Sequence, residues 1–206
     1  FNVLKSRMDS QPNVRYIFSG SSISLLHDVF LKPDSPLYLM AAKMQLKPIK
    51  KEYVGKYIKQ RLGTQNIQIS DQALDDIYTV TGGFPFYFQK LGFMVYQDAI
   101  LENKEKIENT DVDANFCAML AEFDSEFESR YSDKFSEQQK KILKHLSIEK
   151  FRRLSHIAKD TQTPASSLTS SMSDLQNTMT IEKSKDGAYG IIDNVFRIWL
   201  KRNISE

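Results

Sequence analysis

Thr180-Ile181-Glu182-Lys183-Ser184-Lys185-Asp186-Gly187-Ala188-Tyr189-Gly190-Ile191-Ile192 decides how the rear of this 206-residue chain folds. Two short runs of β-forming residues, 180–183 and 188–192, flank a four-residue loop that ends in Asp-Gly. Glycine takes positive φ without a Cβ clash, so the pattern predicts a β-hairpin. Upstream, Ser136-Glu137-Gln138-Gln139 is a capping box, and Phe135, Gln139, Ile142, Leu143 and Leu146 are spaced for one helix. Residues 154–159 predict a short second helix with Ser155 as its cap. Thr163-Pro164 opens a third, where Ala165, Leu168, Met172, Leu175 and Met179 recur at steps of three and four. Three helices and then a hairpin is the winged variant of helix-turn-helix.

The exposed side of that third helix offers Ser166, Ser167, Thr169, Ser170, Ser173, Gln176 and Asn177, with Asp174 its one charge. Hydroxyls and amides bond base edges and phosphates, so Ser166, Ser167 and Ser170, with Lys183 and Lys185 of the hairpin, are the candidate nucleic-acid contacts. The Arg and Lys that usually reach guanine are missing from the helix. Two readings therefore stand: DNA contact through residues 131–206, or docking of a protein partner. The charge is split unevenly. Residues 131–206 carry 13 basic and 9 acidic side chains, whereas residues 1–130 carry 15 and 17. Eleven acids and three bases lie between Asp98 and Asp133, a pattern typical of solvated helix faces.

The front begins with a β-branched and aromatic run, Val14-Arg15-Tyr16-Ile17-Phe18, bounded by Gln11-Pro12-Asn13 and by Ser19-Gly20-Ser21-Ser22. It predicts a strand and a polar turn, then a helix with Ile23, Leu25, Leu26, Val29 and Phe30 as its apolar stripe. Residues 42–47 alternate like a second short strand closed by Pro48. Helices follow. Tyr53, Val54, Tyr57, Ile58 and Leu62 mark one, and Ala73, Leu74, Ile77 and Tyr78 the next, capped by Ser70. Thr81-Gly82-Gly83-Phe84-Pro85 interrupts, because glycine stops a helix with positive φ and proline suits the first turn of another. A largely apolar helix is expected over 85–101, with Phe84, Phe86, Tyr87, Phe88 and Phe93 as core aromatics. A last front helix is expected over 111–130, with Ala114, Cys117, Ala118, Leu120, Ala121, Phe123 and Phe127 inward and a domain boundary near Tyr131.

In this order, the pieces resemble the rear two-thirds of the archaeal-type AAA+ ATPases, a STAND-related group. The resemblance rests on Phe18-Ser19-Gly20-Ser21-Ser22, Ser35-Pro36-Leu37-Tyr38, Leu46-Lys47-Pro48, Thr81-Gly82-Gly83-Phe84-Pro85, and the closing segment with Asp193, Phe196, Arg197 and Trp199. It implies a mainly α fold with short strands: the end of an α/β P-loop ATPase core over 1–48, a helical lid over 49–130 and a winged-helix domain over 131–206. It further implies that Ser19 or Ser21 is the sensor-1 residue reading the γ-phosphate, and that Gly82, Gly83 and Pro85 lie beside the nucleotide base. The phosphate-cradling loop and the carboxylates that hold Mg²⁺ would lie upstream of Phe1, so ATP and Mg belong to the full-length protein. This chain alone is expected to be inactive and to bind neither tightly. Phe1, Leu4 and Met8 fall at helical spacing with no cap before them, as in a chain entered partway through a helix. Where the family has Gly-Arg after Pro-Leu-Tyr, this sequence has Leu39-Met40, which removes an arginine able to stabilise transition-state charge across a subunit contact.

Composition excludes other classes. The net charge of +2 advertises no global affinity for polyanions, and Cys117, the one cysteine, excludes an internal disulfide or a Cys-rich zinc site. His27, His145 and His156 have no partners at metal-ligand spacing, so no metal site and no catalytic residue is expected in this chain. The apolar stretch 79–100 is broken by Lys90 and Asp98, so no membrane span is expected, and a cytoplasmic protein is. The expected function is a nucleotide-gated switch contacting DNA or a partner protein. The alternative is a winged-helix binding module without nucleotide control.

Overall fold

Apolar residues recurring at three- and four-residue steps make this a mainly helical chain, and its strands are only two to four residues long. The computed structural model describes residues 1–20, 23–44 and 46–204. Helices α1 (Asn2–Asp9) and α2 (Ile23–Phe30) come first, followed by α3 (Lys51–Gly63), β1 (Gln68–Ile69), α4 (Asp71–Thr81) and α5 (Pro85–Leu101). Next are β2 (Lys106–Ile107), α6 (Asn109–Glu122) and α7 (Asp124–Lys134). The rear holds α8 (Glu137–Ile148), β3 (Arg152–Arg153), α9 (Leu154–Asp160), α10 (Ala165–Asn177), β4 (Ile181–Lys183), β5 (Ala188–Ile191) and α11 (Asn194–Asn203). No helix among the described residues is long and apolar enough to cross a membrane.

One continuous core runs from Val54 in α3 to Leu200 in α11. A smaller separate core gathers Val29, Phe30 and Leu37, with Leu4, Met8, Phe18, Leu26, Met40 and Ala41 around them. Among the described residues, neither of the two front strands expected from the sequence forms. Residues 14–18 are irregular, with Ile17 94% exposed, and Met44 and Leu46 of the second run are also exposed. β-Propensity is realised only against a partner, and the described residues hold just two sheets, β1-β2 and β3-β5-β4, neither of which includes these runs. The helix expected over 111–130 is two helices, α6 and α7, meeting at Phe123, and α7 runs past Tyr131 to Lys134. On α6 the larger Val112, Phe116, Met119 and Leu120 take the interior. Cys117, expected in the core, is exposed, as are Ala114 and Ala118, because smaller side chains gain less from burial.

The rear elements follow the sequence closely. Ser136 and Gln139 form the expected capping box of α8, and Ile142, Leu143 and Leu146 are buried. β4 pairs antiparallel with β5 in the register Ile181↔Ile191, Glu182↔Gly190 and Lys183↔Tyr189. Gly187 closes the loop at φ +85°, and the Ser184 hydroxyl accepts from the Ala188 N–H at 3.0 Å. Two features differ. Ser155 is not a cap, since α9 starts one residue earlier with Arg153 at the cap position. A third strand, β3, pairs with β5, and it needs Gly190, where a Cβ would lie 2.4 Å from the Lys150 carbonyl oxygen.

Leu39 occupies the left-handed region at φ +56°, a conformation that costs a side-chain-bearing residue about 1–2 kcal/mol. The turn holds because Ser35 Oγ donates to the Val29 carbonyl and accepts from Leu37 N–H at 3.3 Å, seating Leu37 in the small core. Leu39→Gly should therefore stabilise the chain by about 1 kcal/mol, read as a higher urea midpoint with unchanged slope. A lower midpoint would contradict the strained-turn reading.

Candidate functional site

The Thr81–Pro85 segment is built from the backbone outward. Ser70 caps α4 by accepting from Ala73 N–H at 3.2 Å, and Gly82 ends it at φ +63°, its N–H donating to the Tyr78 carbonyl at 2.8 Å. Gly83 continues at φ +76°. A Cβ there would lie 2.2 Å from the Ile49 carbonyl oxygen and 3.0 Å from the Tyr78 ring, so only glycine lets the chain entering α3 pass this close. Ile49 N–H donates to the Gly83 carbonyl at 2.9 Å, and this bond fastens the crossing. Pro85 then occupies the first turn of α5, which has neither a side-chain cap nor an acidic residue in that turn. The positive end of the α5 dipole is left without a counter-charge of its own.

The end of α4, just before this turn, is tied to the last helix. Asn194 Nδ2 donates to the carbonyls of Thr79 and Val80, at 2.8 and 2.9 Å, at the C-terminus of α4. A Cβ on Gly82 would lie 3.3 Å from Asn194 Cβ. The neighbouring Asp193 caps α11 through Phe196 N–H at 3.0 Å, and its other oxygen accepts from the Tyr87 hydroxyl at 2.9 Å and from Arg130 at 3.1 Å. Arg130 also lies over the Phe196 ring, 4.3 Å from its centroid. Burial, reinforced by the Asp193 carboxylate, pushes the Tyr87 phenol well above its ordinary range, so it stays a donor at every physiological pH. Arg197 completes the tie by donating to the Ser147 carbonyl of α8 at 3.1 Å. Sequence reading marked Asp193 and Arg197 only through the family resemblance, placed Tyr87 among the core aromatics, and missed Asn194 and Arg130. No local pattern could have paired Tyr87 with a residue 106 positions away.

The other sequence-derived candidates fall elsewhere. Ser19 is exposed on the irregular segment beside the small core, and Ser21 lies outside the described residues. No hydrogen bond among the described residues joins Ser19 to Gly82, Gly83 or Pro85. Ser166, Ser167 and Ser170 are all exposed on α10, and Gln138 Nε2 donates to the Ser167 carbonyl at 3.2 Å. Lys183 and Lys185 are exposed on the hairpin, with the Lys183 ammonium 5.4 Å from the centroid of the Tyr189 ring. Glu182 and Asp186 stand exposed on the same hairpin. Asp186 is held below the usual carboxylate range, first by the Ser184 hydroxyl. Among the described residues no three His, Cys, Asp or Glu side chains converge as a metal site would require.

No family model matches the chain, and no curated protein does. Among solved structures, a Walker-type ATPase of Pyrococcus abyssi superimposes on 97% of this chain with a TM-score of 0.72 at 21% identity. The chain therefore has a fold like that of part of a P-loop ATPase. It spans 56% of that protein, little more than half its length. The RuvB Holliday-junction branch-migration motor of Thermotoga maritima aligns with 71% of the chain and 47% of its own, at 18% identity and a TM-score of 0.35, too low to bear on the fold.

Proposed function

We propose that this chain is the lid and winged-helix portion of an archaeal-type, STAND-related ATPase and acts as a nucleotide-gated switch. Residues 1–48 would complete the ATPase core, residues 49–130 would form the lid, and the rear domain would follow from about residue 131. The observation that carries this reading is the tie between the last turn of α4, immediately before Gly82, and α11. A displacement of the end of α4 would pull on Asn194 and so on α11, which packs against α8 of the rear unit. In the full-length protein ATP and Mg would supply the binding free energy. Gly82, Gly83 and Pro85 would lie beside the base, and Ser19 or Ser21 would sense the terminal phosphate. The open α5 N-terminus and the absence of an acid in its first turn fit an anionic ligand on that side. This chain has no Gly-x-x-x-x-Gly-Lys-Ser/Thr segment of its own, so calorimetry with Mg-ATP on these residues alone should detect no tight binding. A sub-micromolar constant would contradict the assignment.

The winged-helix unit would contact DNA weakly and through phosphates. Ser166, Ser167 and Ser170 offer hydroxyls on α10, and Lys183 and Lys185 offer charge on the wing. Anisotropy titrations of duplex DNA at several salt concentrations test this. Lys183→Ala/Lys185→Ala should lower the slope of log K against log salt by roughly one unit per lost contact. Glu182 and Asp186 balance those two lysines, and α10 presents no cation on its exposed face, which favours a second reading, docking of a protein. An unchanged slope, or no DNA binding at low salt, would select it.

A further inference from the structure

Between α3 and α5 lies a cleft of about 330 Å³ that none of the preceding functions uses. Ile58, Leu62 and Phe88 form its floor, and the rings of Tyr57, Phe93 and Tyr96 its walls. Phe93, expected in the core, is 57% exposed, and Tyr57 is 37% exposed. Flat rings standing at the edge of a concave, apolar site are surfaces for stacking another flat ring.

Gly92 of α5 lines this cleft and leaves space in it. Glycine inside a helix is less stable than alanine there, so its presence needs a local reason. Packing against α3 supplies none, because a Cβ on Gly92 would meet only Ile58 Cγ1, at 4.0 Å. A larger residue would grow into the cleft. The sequence therefore keeps open a hollow that a more helix-favouring residue could have begun to fill.

The charge around the cleft is one-sided. Its lining contains no Asp or Glu, and Arg61 is its one charged residue. The guanidinium sits over the Tyr57 ring, 5.4 Å from the centroid, with no ion pair among the described residues. On α3, Lys51 and Lys59 are paired with Asp75 and Asp71 of α4, which leaves Arg61 as the cation facing the cleft. Gln65 and Gln89 add amides at the rim that can donate to an acceptor.

We propose that this cleft is a binding site for a small aromatic anion, one or two fused rings bearing a carboxylate or phosphate. The ring stacks among Tyr57, Phe93 and Tyr96 above Gly92, and the acidic group meets Arg61. The inference does not depend on the nucleotide-gating reading, since the Gly82-Gly83 turn contributes nothing to the cleft.

The test titrates 2-naphthoate, with neutral 2-naphthylmethanol as comparison, into ¹⁵N-labelled protein and follows amide shifts by NMR. Naphthoate should perturb α3 and α5 with a dissociation constant of about a millimolar or tighter, as expected for a ligand of that size. The alcohol should bind up to about fivefold more weakly, the range of an exposed charge contact. Arg61→Gln should erase the difference between the two ligands. Gly92→Leu should abolish binding of both. Gly92→Ala guards against a folding artefact: it should raise the urea midpoint while weakening naphthoate binding. No shifts at saturating naphthoate, or shifts that survive Gly92→Leu, would overturn the proposal. Displacement of naphthoate by octathymidylate but not by thymidine monophosphate would also overturn it, in favour of a face that binds a nucleic-acid strand.

Discussion

Gly83→Val should destabilise the chain by about 3 kcal/mol or more, one of the two largest effects of a single substitution predicted here. Two costs add. A valine at φ +76° is in a region that β-branched residues avoid, and its Cβ would lie 2.2 Å from a backbone oxygen that cannot swing aside. The Ile49 N–H bond to the Gly83 carbonyl must then lengthen or break. Gly63 is the control, because a Cβ there has nothing within 4 Å, and Gly63→Ala should be neutral or mildly stabilising. Urea denaturation of the two variants, followed by circular dichroism, checks both. Equal midpoints would mean that the crossing of the turn and the α3 entry is not tight.

The second large effect is expected at Trp199, the chain's one tryptophan and 1% exposed. Its ring stacks on Phe196 with centroids 6.0 Å apart and lies 5.9 Å from Phe127, while its N–H donates to Asp124 at 2.7 Å. Trp199→Ala should cost about 3–5 kcal/mol, because it opens a cavity where α7 and α11 meet and leaves Asp124 without that donor. The core is continuous from α3 to α11, so the loss should appear as one cooperative transition moved to lower temperature. Two separated transitions in thermal melts would show that the front helices and the rear unit are energetically independent.

Local signals carried much of this architecture. The Ser136 capping box, the Gly82-Gly83-Pro85 punctuation and the Asp186-Gly187 loop each depend on residues within a few positions, and each forms as the sequence predicts. The failures came where a partner decides the outcome. Residues 14–18 have strand composition without a neighbouring strand, and β3 has a neighbour but only two residues of its own. On α6, two apolar stripes compete at helical spacing, and the bulkier one displaces Ala114, Cys117 and Ala118 to the surface. The candidate site divides in the same way. Its glycines were legible from backbone chemistry, whereas Asn194, Tyr87 and Arg130 join it only through tertiary contact.

Coupling between the turn and the last helix is most directly tested by hydrogen–deuterium exchange on the full-length gene product, with and without Mg-ATP. ATP should slow exchange together in residues 79–87 and in residues 193–199, and Asn194→Ala should leave the first response while removing the second. A nucleotide response confined to the turn in the unsubstituted protein, or none in either segment, would contradict a nucleotide-gated switch.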